Sequence, residues 1–123
     1  MMTKFVYYNA TPDLAIKNNC VARAITLASG LPYEVVERKL WLTGELFDCD
    51  CLCRFCYEHF IEDVLGYRKV NCENLTVGEF ADKHPVGTYL IRVPNHLTTI
   101  REGICYDTFS PLDEVCDIVW EVR

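Results

Sequence analysis

Three residues are of the types that together make an activated sulfur nucleophile: Cys20, His96 and Asp107. A thiol becomes a strong nucleophile when it loses its proton, and an imidazole takes that proton best when a carboxylate holds the ring. Cys20 follows Asn18 and Asn19, in the first turn of a predicted helix. Unpaired N–H groups and the positive end of the helix dipole lower a thiol's pKa there. The competing reading of Cys20 is a small buried core residue, as free cysteines often are.

His96 opens one predicted strand and Asp107 lies on the next. If Glu102 and Gly103 form a two-residue loop, Arg101 pairs with Ile104. Counting back, Thr98 then faces Asp107 and His96 faces Phe109. His96, Thr98, Cys105, Asp107 and Phe109 fall on one face of the hairpin, with His96 and Asp107 diagonal neighbours roughly 5–8 Å apart at Cβ. A three-residue loop would shift the register by one and separate them. With the two-residue loop, Asp107 fixes the tautomer of His96, and the other ring nitrogen faces Cys20. The competing reading makes His96 a satisfied histidine at the rim and Asp107 a turn residue.

A second cluster, Cys49-Asp50-Cys51-Leu52-Cys53-Arg54-Phe55-Cys56, carries four thiols in eight residues. It admits a zinc reading through Cys49, Cys51, Cys53 and Cys56, with His59 or Cys72 as further ligands. Structural zinc sites favour two separated pairs, and here there is a single C-x-x-C, from Cys53 to Cys56. The alternative is ordinary thiols, with Cys56 turned into the core beside Phe55 and Phe60. Cys72, Cys105 and Cys116 read as structural, and Trp41 and Trp120 as core or interface.

These groups must be held by a chain of 123 residues, one domain's worth spanning 1–123. Half of the residues are hydrophobic and 24% are charged, which excludes a disordered tail. Eighteen acidic against 12 basic residues leave a net charge of −6, which argues against a nucleic-acid partner. The most apolar stretch, Cys20 to Gly30, is too short to span a bilayer, and no signal peptide is evident at the start. The expectation is a cytoplasmic protein with reduced thiols and no membrane partner.

The first half reads as helical. Val21, Ala24, Ile25 and Ala28 recur at helical spacing, Gly30 suits the end of that helix, and Pro32 suits the start of the next. The second helix runs through Val35, Val36 and Leu40 to Gly44. A third carries Leu52, Phe55, Cys56, His59, Phe60 and Val64 on one stripe and ends at Gly66. The capping box of Thr76 and Glu79 opens a short fourth, which stops before Pro85. Beyond Gly87 the period becomes two, through Tyr89–Val93, His96–Ile100, Ile104–Phe109 and Val115–Val122. Phe5 to Tyr8 is a possible opening strand. The expected fold class is α+β, with N-terminal helices on one side of a C-terminal antiparallel sheet.

The run N-N-C-V-A-R-A-I-T-L-A-S-G-L-P-Y-E-V-V resembles the catalytic-cysteine helix of small papain-like cysteine peptidases. The run P-V-G-T-Y-L-I-R-V-P-N-H-L-T-T-I-R-E-G-I-C-Y-D-T-F resembles their strand–His–strand–Asp segment. The likeness covers roughly residues 18 to 110 and is to short, stand-alone papain-like proteins of bacteria and phages, similar in layout to double-glycine leader peptidase domains. It implies a papain-like fold and a thiol hydrolase acting on an amide bond of a protein or peptide. Cys20 would be the nucleophile, His96 the general base and Asp107 the orienting residue, with no cofactor. One position departs from the pattern: Leu14 stands where the family places an oxyanion-stabilising Gln, six residues before the cysteine. The backbone N–H of Cys20, with Asn18 or Asn19, becomes the candidate oxyanion donor set. The departure also supports a rival class, a weak or inactive papain-like binding module, such as a phage or mobile-element factor that binds a host protein. Acyl transfer on the same three residues and metal binding are further alternatives. Oligomeric state is not legible.

Overall fold

The stripe Val21, Ala24, Ile25 and Ala28 is the buried face of helix α1 (Cys20–Ser29) in the computed structural model, which describes residues 5–9, 20–48 and 54–122. Gly30, at φ 76°, takes the left-handed conformation that ends α1. Pro32 precedes α2 (Tyr33–Phe47), which buries Tyr33, Val36 and Leu40. α2 continues past the expected end at Gly44 and stops where Asp48 turns left-handed. Its outer face leaves Val35, Trp41 and Leu46 exposed, so Trp41 is not a core residue.

α3 (Arg54–His59) passes directly into a π-helical turn, Phe60–Val64. The wider turn rotates the stripe expected for a regular helix. Phe60 and Ile61 are fully buried, whereas Val64 is 54% exposed. The helical layer of α1, α2, α3 and the π turn packs with Leu90, Leu97 and Trp120 in one core.

Among the described residues, six strands follow the order β1-β5-β4-β3-β6-β2. They are β1 (Phe5–Tyr7), β2 (Arg68–Val70), β3 (Thr88–Val93), β4 (His96–Arg101), β5 (Ile104–Asp107) and β6 (Ile118–Glu121). The expected purely antiparallel sheet is corrected to a mixed one, because β1 lies parallel to β5. A parallel neighbour needs a long connection, and here the helices together with β2, β3 and β4 lie between the two strands in the chain. β2 was not expected. Three residues with exposed Arg68 and Lys69 give little alternating pattern, and pairing with β6 makes the strand. β6 begins at Ile118 rather than Val115, which forms only an isolated bridge with Thr76.

α4 (Val77–Lys83) opens with the expected reciprocal capping box of Thr76 and Glu79. It corrects the one-sided layering. Val77, Phe80 and Ala81 pack with Tyr89, Ile91, Val93, Ile100 and Val119 in a second core. Residues 89, 91 and 93 alternate with Leu90 of the first core, so α4 covers the opposite face of the sheet. No helix among the described residues is long and apolar enough to cross a membrane.

Candidate active site

The site depends first on hairpin register. Arg101 pairs with Ile104 and Thr99 with Tyr106, as a two-residue loop requires. Glu102 and Gly103 both have positive φ, 51° and 75°, which is the turn that matches the twist of the strands. At the other end of β4, Val93 pairs with His96 across Pro94 and Asn95, with Asn95 left-handed at φ 61°. These two tight turns leave β4 no freedom to slip, and His96 is its first residue.

Asp107 accepts from both neighbours on β4. His96 Nε2–H donates to Oδ2 at 2.6 Å, and Thr98 Oγ1 donates to the same oxygen at 2.6 Å. The backbone N–H of Thr108 donates to Oδ1 at 2.7 Å. The phenyl ring of Phe109 lies against His96, with centroids 4.5 Å apart. The shared face of His96, Thr98, Cys105, Asp107 and Phe109 is therefore assembled as the register count requires.

Cys20 comes from the helical layer. The α1 helix is tied to β4 by its buried apolar face and by Thr99 Oγ1, which donates to the Ala24 carbonyl at 2.7 Å. This seats the first residue of α1 beside the first residues of β4. The Cys20 thiol lies within reach of the His96 side chain and the Leu97 backbone, and both favour its thiolate form. His96 Nε2 is engaged by Asp107, so Nδ1 is the nitrogen left for Cys20. The structure thus brings Cys20, His96 and Asp107 into one chain of contacts.

Electrostatics favour a charge-separated pair. Burial works to raise the Cys20 thiol, but His96, the Leu97 backbone and Arg23 together hold it below its ordinary value. Burial works to lower His96, but its bonds to Asp107 and Cys20 and their charges raise it to about 9. Asp107 is buried, which opposes its charge, yet the donors His96, Thr98 and Thr108 hold it below the usual carboxylate range. A thiolate beside an imidazolium can attack an electrophilic carbonyl carbon and then return a proton to the departing group.

A cleft of about 310 Å³ opens onto the sulfur, lined by Cys20, Val21, Tyr57, Arg92, Asn95, His96 and Leu97. Arg92 is fixed there by an ion pair with Asp117 and by donation from Nε to Tyr57 Oη at 2.9 Å. Thr98, Arg92 and Tyr57 were not singled out as site residues from sequence. Thr98 alone had a signal, its place opposite Asp107 in the hairpin count.

Leu14, Asn18 and Asn19, the residues bearing on the oxyanion question, lie outside the described residues, as do Cys49, Cys51 and Cys53. Cys56 is fully buried, with Sγ 3.9 Å from the Leu40 carbonyl oxygen. His59 Nδ1 pairs with Asp63 Oδ2 at 2.6 Å and its ring stacks on Phe47. Cys72 donates to the Asp117 carbonyl at 3.6 Å. Among the described residues, no three His, Cys, Asp or Glu side chains converge as metal ligands. Among the described residues, a depression of about 340 Å³ lined by Glu58, His59, Glu62 and Asp63 shares no lining residue with the cleft.

Compared with family models, curated proteins and solved structures, the chain has no match.

Proposed function

We propose that this protein is a papain-like thiol hydrolase that cleaves an amide bond of a peptide or protein through Cys20. The observation that carries the reading is the bridging role of His96, which bonds Asp107 through Nε2 at 2.6 Å and leaves its other ring nitrogen, Nδ1, for the Cys20 thiol. Cys20 Sγ attacks the substrate carbonyl carbon. A C–S bond forms, and the carbonyl π electrons move onto oxygen. As the tetrahedral species collapses, the C–N bond breaks and the His96 imidazolium gives its proton to the leaving amine. Water then attacks the thioester, His96 takes the water's proton, and the acid is released as Cys20 is regenerated. No cofactor is needed for this route.

Leu14, in the place of the family's Gln, favours a second reading in which the same fold binds a partner without turning it over. Losing one oxyanion donor costs about a hundredfold or more in rate. Limiting iodoacetamide near pH 6, followed by peptide mapping, separates the two. A hydrolase requires preferential labelling of Cys20 that is lost in His96→Ala. Cys20→Ala should abolish turnover of a cleaved peptide while leaving the thermal midpoint within a few degrees. Slow, uniform labelling of the thiols, or turnover that survives Cys20→Ala, would remove the hydrolase reading.

A further inference from the structure

Hydrogen bonds continue behind Asp107 into the sheet. Thr98 is 1% exposed and Cys105 fully buried, and Thr98 borders the narrow crevice beside Asp107 rather than the cleft over the sulfur. Thr98 Oγ1 lies 2.6 Å from Asp107 Oδ2 and 3.3 Å from Cys105 Sγ. A threonine hydroxyl has one proton, and an ionised carboxylate can only accept. That proton is committed to Asp107, so the bond to Cys105 must run the other way, with S–H donating to Oγ1. Burial pushes the Cys105 thiol up to about 12, so its proton stays in place across the neutral range. The chain is therefore directional, from Cys105 S–H to Thr98 O–H to Asp107.

Among the described residues, three donors are seen on the Asp107 carboxylate. His96 and Thr98 approach it from β4, Cys105 lies beside it on β5, and the Thr108 N–H holds the second oxygen. Cys20 and Arg23 of α1, with Tyr8 and Tyr106, line the narrow crevice alongside. Arg23 Nη2 donates to Thr108 Oγ1 at 3.4 Å. A carboxylate with donors on both oxygens cannot rotate freely, and one that loses a buried donor holds its charge less readily.

We infer that Thr98 is a positioning residue: its hydroxyl, oriented by the Cys105 thiol, keeps Asp107 ionised and aligned on His96. The inference rests on the thiol-hydrolase reading of Cys20, His96 and Asp107 and deepens it.

The test uses the full chain with Thr98→Val, Thr98→Ser and Cys105→Ala. One readout is the pH profile of iodoacetamide labelling at Cys20. The other is the titration of the Asp107 carboxyl carbon by ¹³C NMR, which does not depend on turnover. Thr98→Val should lower Cys20 labelling at pH 6 by about tenfold, as expected for a lost hydrogen bond to a buried charge. It should also move the acid limb and the Asp107 titration to higher pH. Thr98→Ser should restore both, and Cys105→Ala should shift both in the same direction by less. Unchanged profiles in Thr98→Val, or no rescue by Ser, would overturn the inference. If Thr98→Val does not fold, Cys105→Ala decides it, and an unshifted Asp107 titration there overturns the relay. Wild-type Cys20 that labels no faster than Cys72 would instead sink the hydrolase reading, while the Asp107 titration still reports on Thr98.

Discussion

At the level of single side chains, the pair Cys20 and His96 makes two pH signatures. Alkylation needs only the thiolate, so its rate should rise through the lowered Cys20 pKa and not fall again in base. Hydrolysis also needs the imidazolium to protonate the leaving amine, so it should fall as pH rises through about 9, where His96 deprotonates. The comparison of the two profiles on one preparation checks this. Asp107→Asn removes the carboxylate charge and weakens the bond that raises His96. The basic limb of hydrolysis should then move down toward about 6.5, the ordinary histidine value, measured directly by NMR titration of the ring.

At the level of elements, two short features set the geometry of the site. The α4 cap matters because α4 closes the second core over β3, β4 and β5. Thr76→Ala removes the hydroxyl that accepts from Glu79 N at 3.2 Å and should cost about 1 kcal/mol, read as a lower denaturant midpoint with an unchanged slope. The β4–β5 turn places Glu102 at φ 51°, a conformation that asparagine tolerates better than glutamate. Gly87 N–H reaches Glu102 Oε1 only at 3.4 Å, so little is lost with that side chain. Glu102→Asn should therefore stabilise the protein by about 0.5–1 kcal/mol and leave the register of His96 and Asp107 intact. A thermal melt together with Cys20 labelling checks both halves.

Across the molecule, the charged triad couples folding to pH. Asp107 is held below its ordinary value, so the unfolded chain binds more protons between the two pKa values. The stability Asp107 contributes is present above about pH 4 and is lost as pH falls through its folded pKa. Near neutrality the other two groups oppose each other. Raised His96 contributes stability that fades toward about pH 9, while lowered Cys20 contributes stability that grows as pH rises from its folded pKa toward the ordinary thiol value. Denaturant midpoints should thus drop below about pH 4, with a smaller drop in Asp107→Asn. A drop of equal size in that variant would assign the acid lability to other carboxylates.

Much of this site is legible in the sequence because its determinants are local. Helix periodicity put Cys20 at the start of α1. The residues 102 and 103 set the count that pairs Arg101 with Ile104, and with it the meeting of His96 and Asp107. The capping box marked α4 from two residues three apart. Long-range choices were not legible in the same way. The parallel seat of β1 on β5, the short β2 and the side of the sheet that α4 covers each depend on distant partners. The π turn after His59 escaped for a related reason, since its buried and exposed sides are decided by packing rather than by periodicity. Chain order and residue type were enough to name a thiol, an imidazole and a carboxylate and to put the last two on one hairpin. Only the packing of α1 on β4 could bring the thiol to the imidazole, and only the buried register of β4 and β5 could set Thr98 and Cys105 behind the carboxylate, because those contacts join segments whose separation no local rule spans.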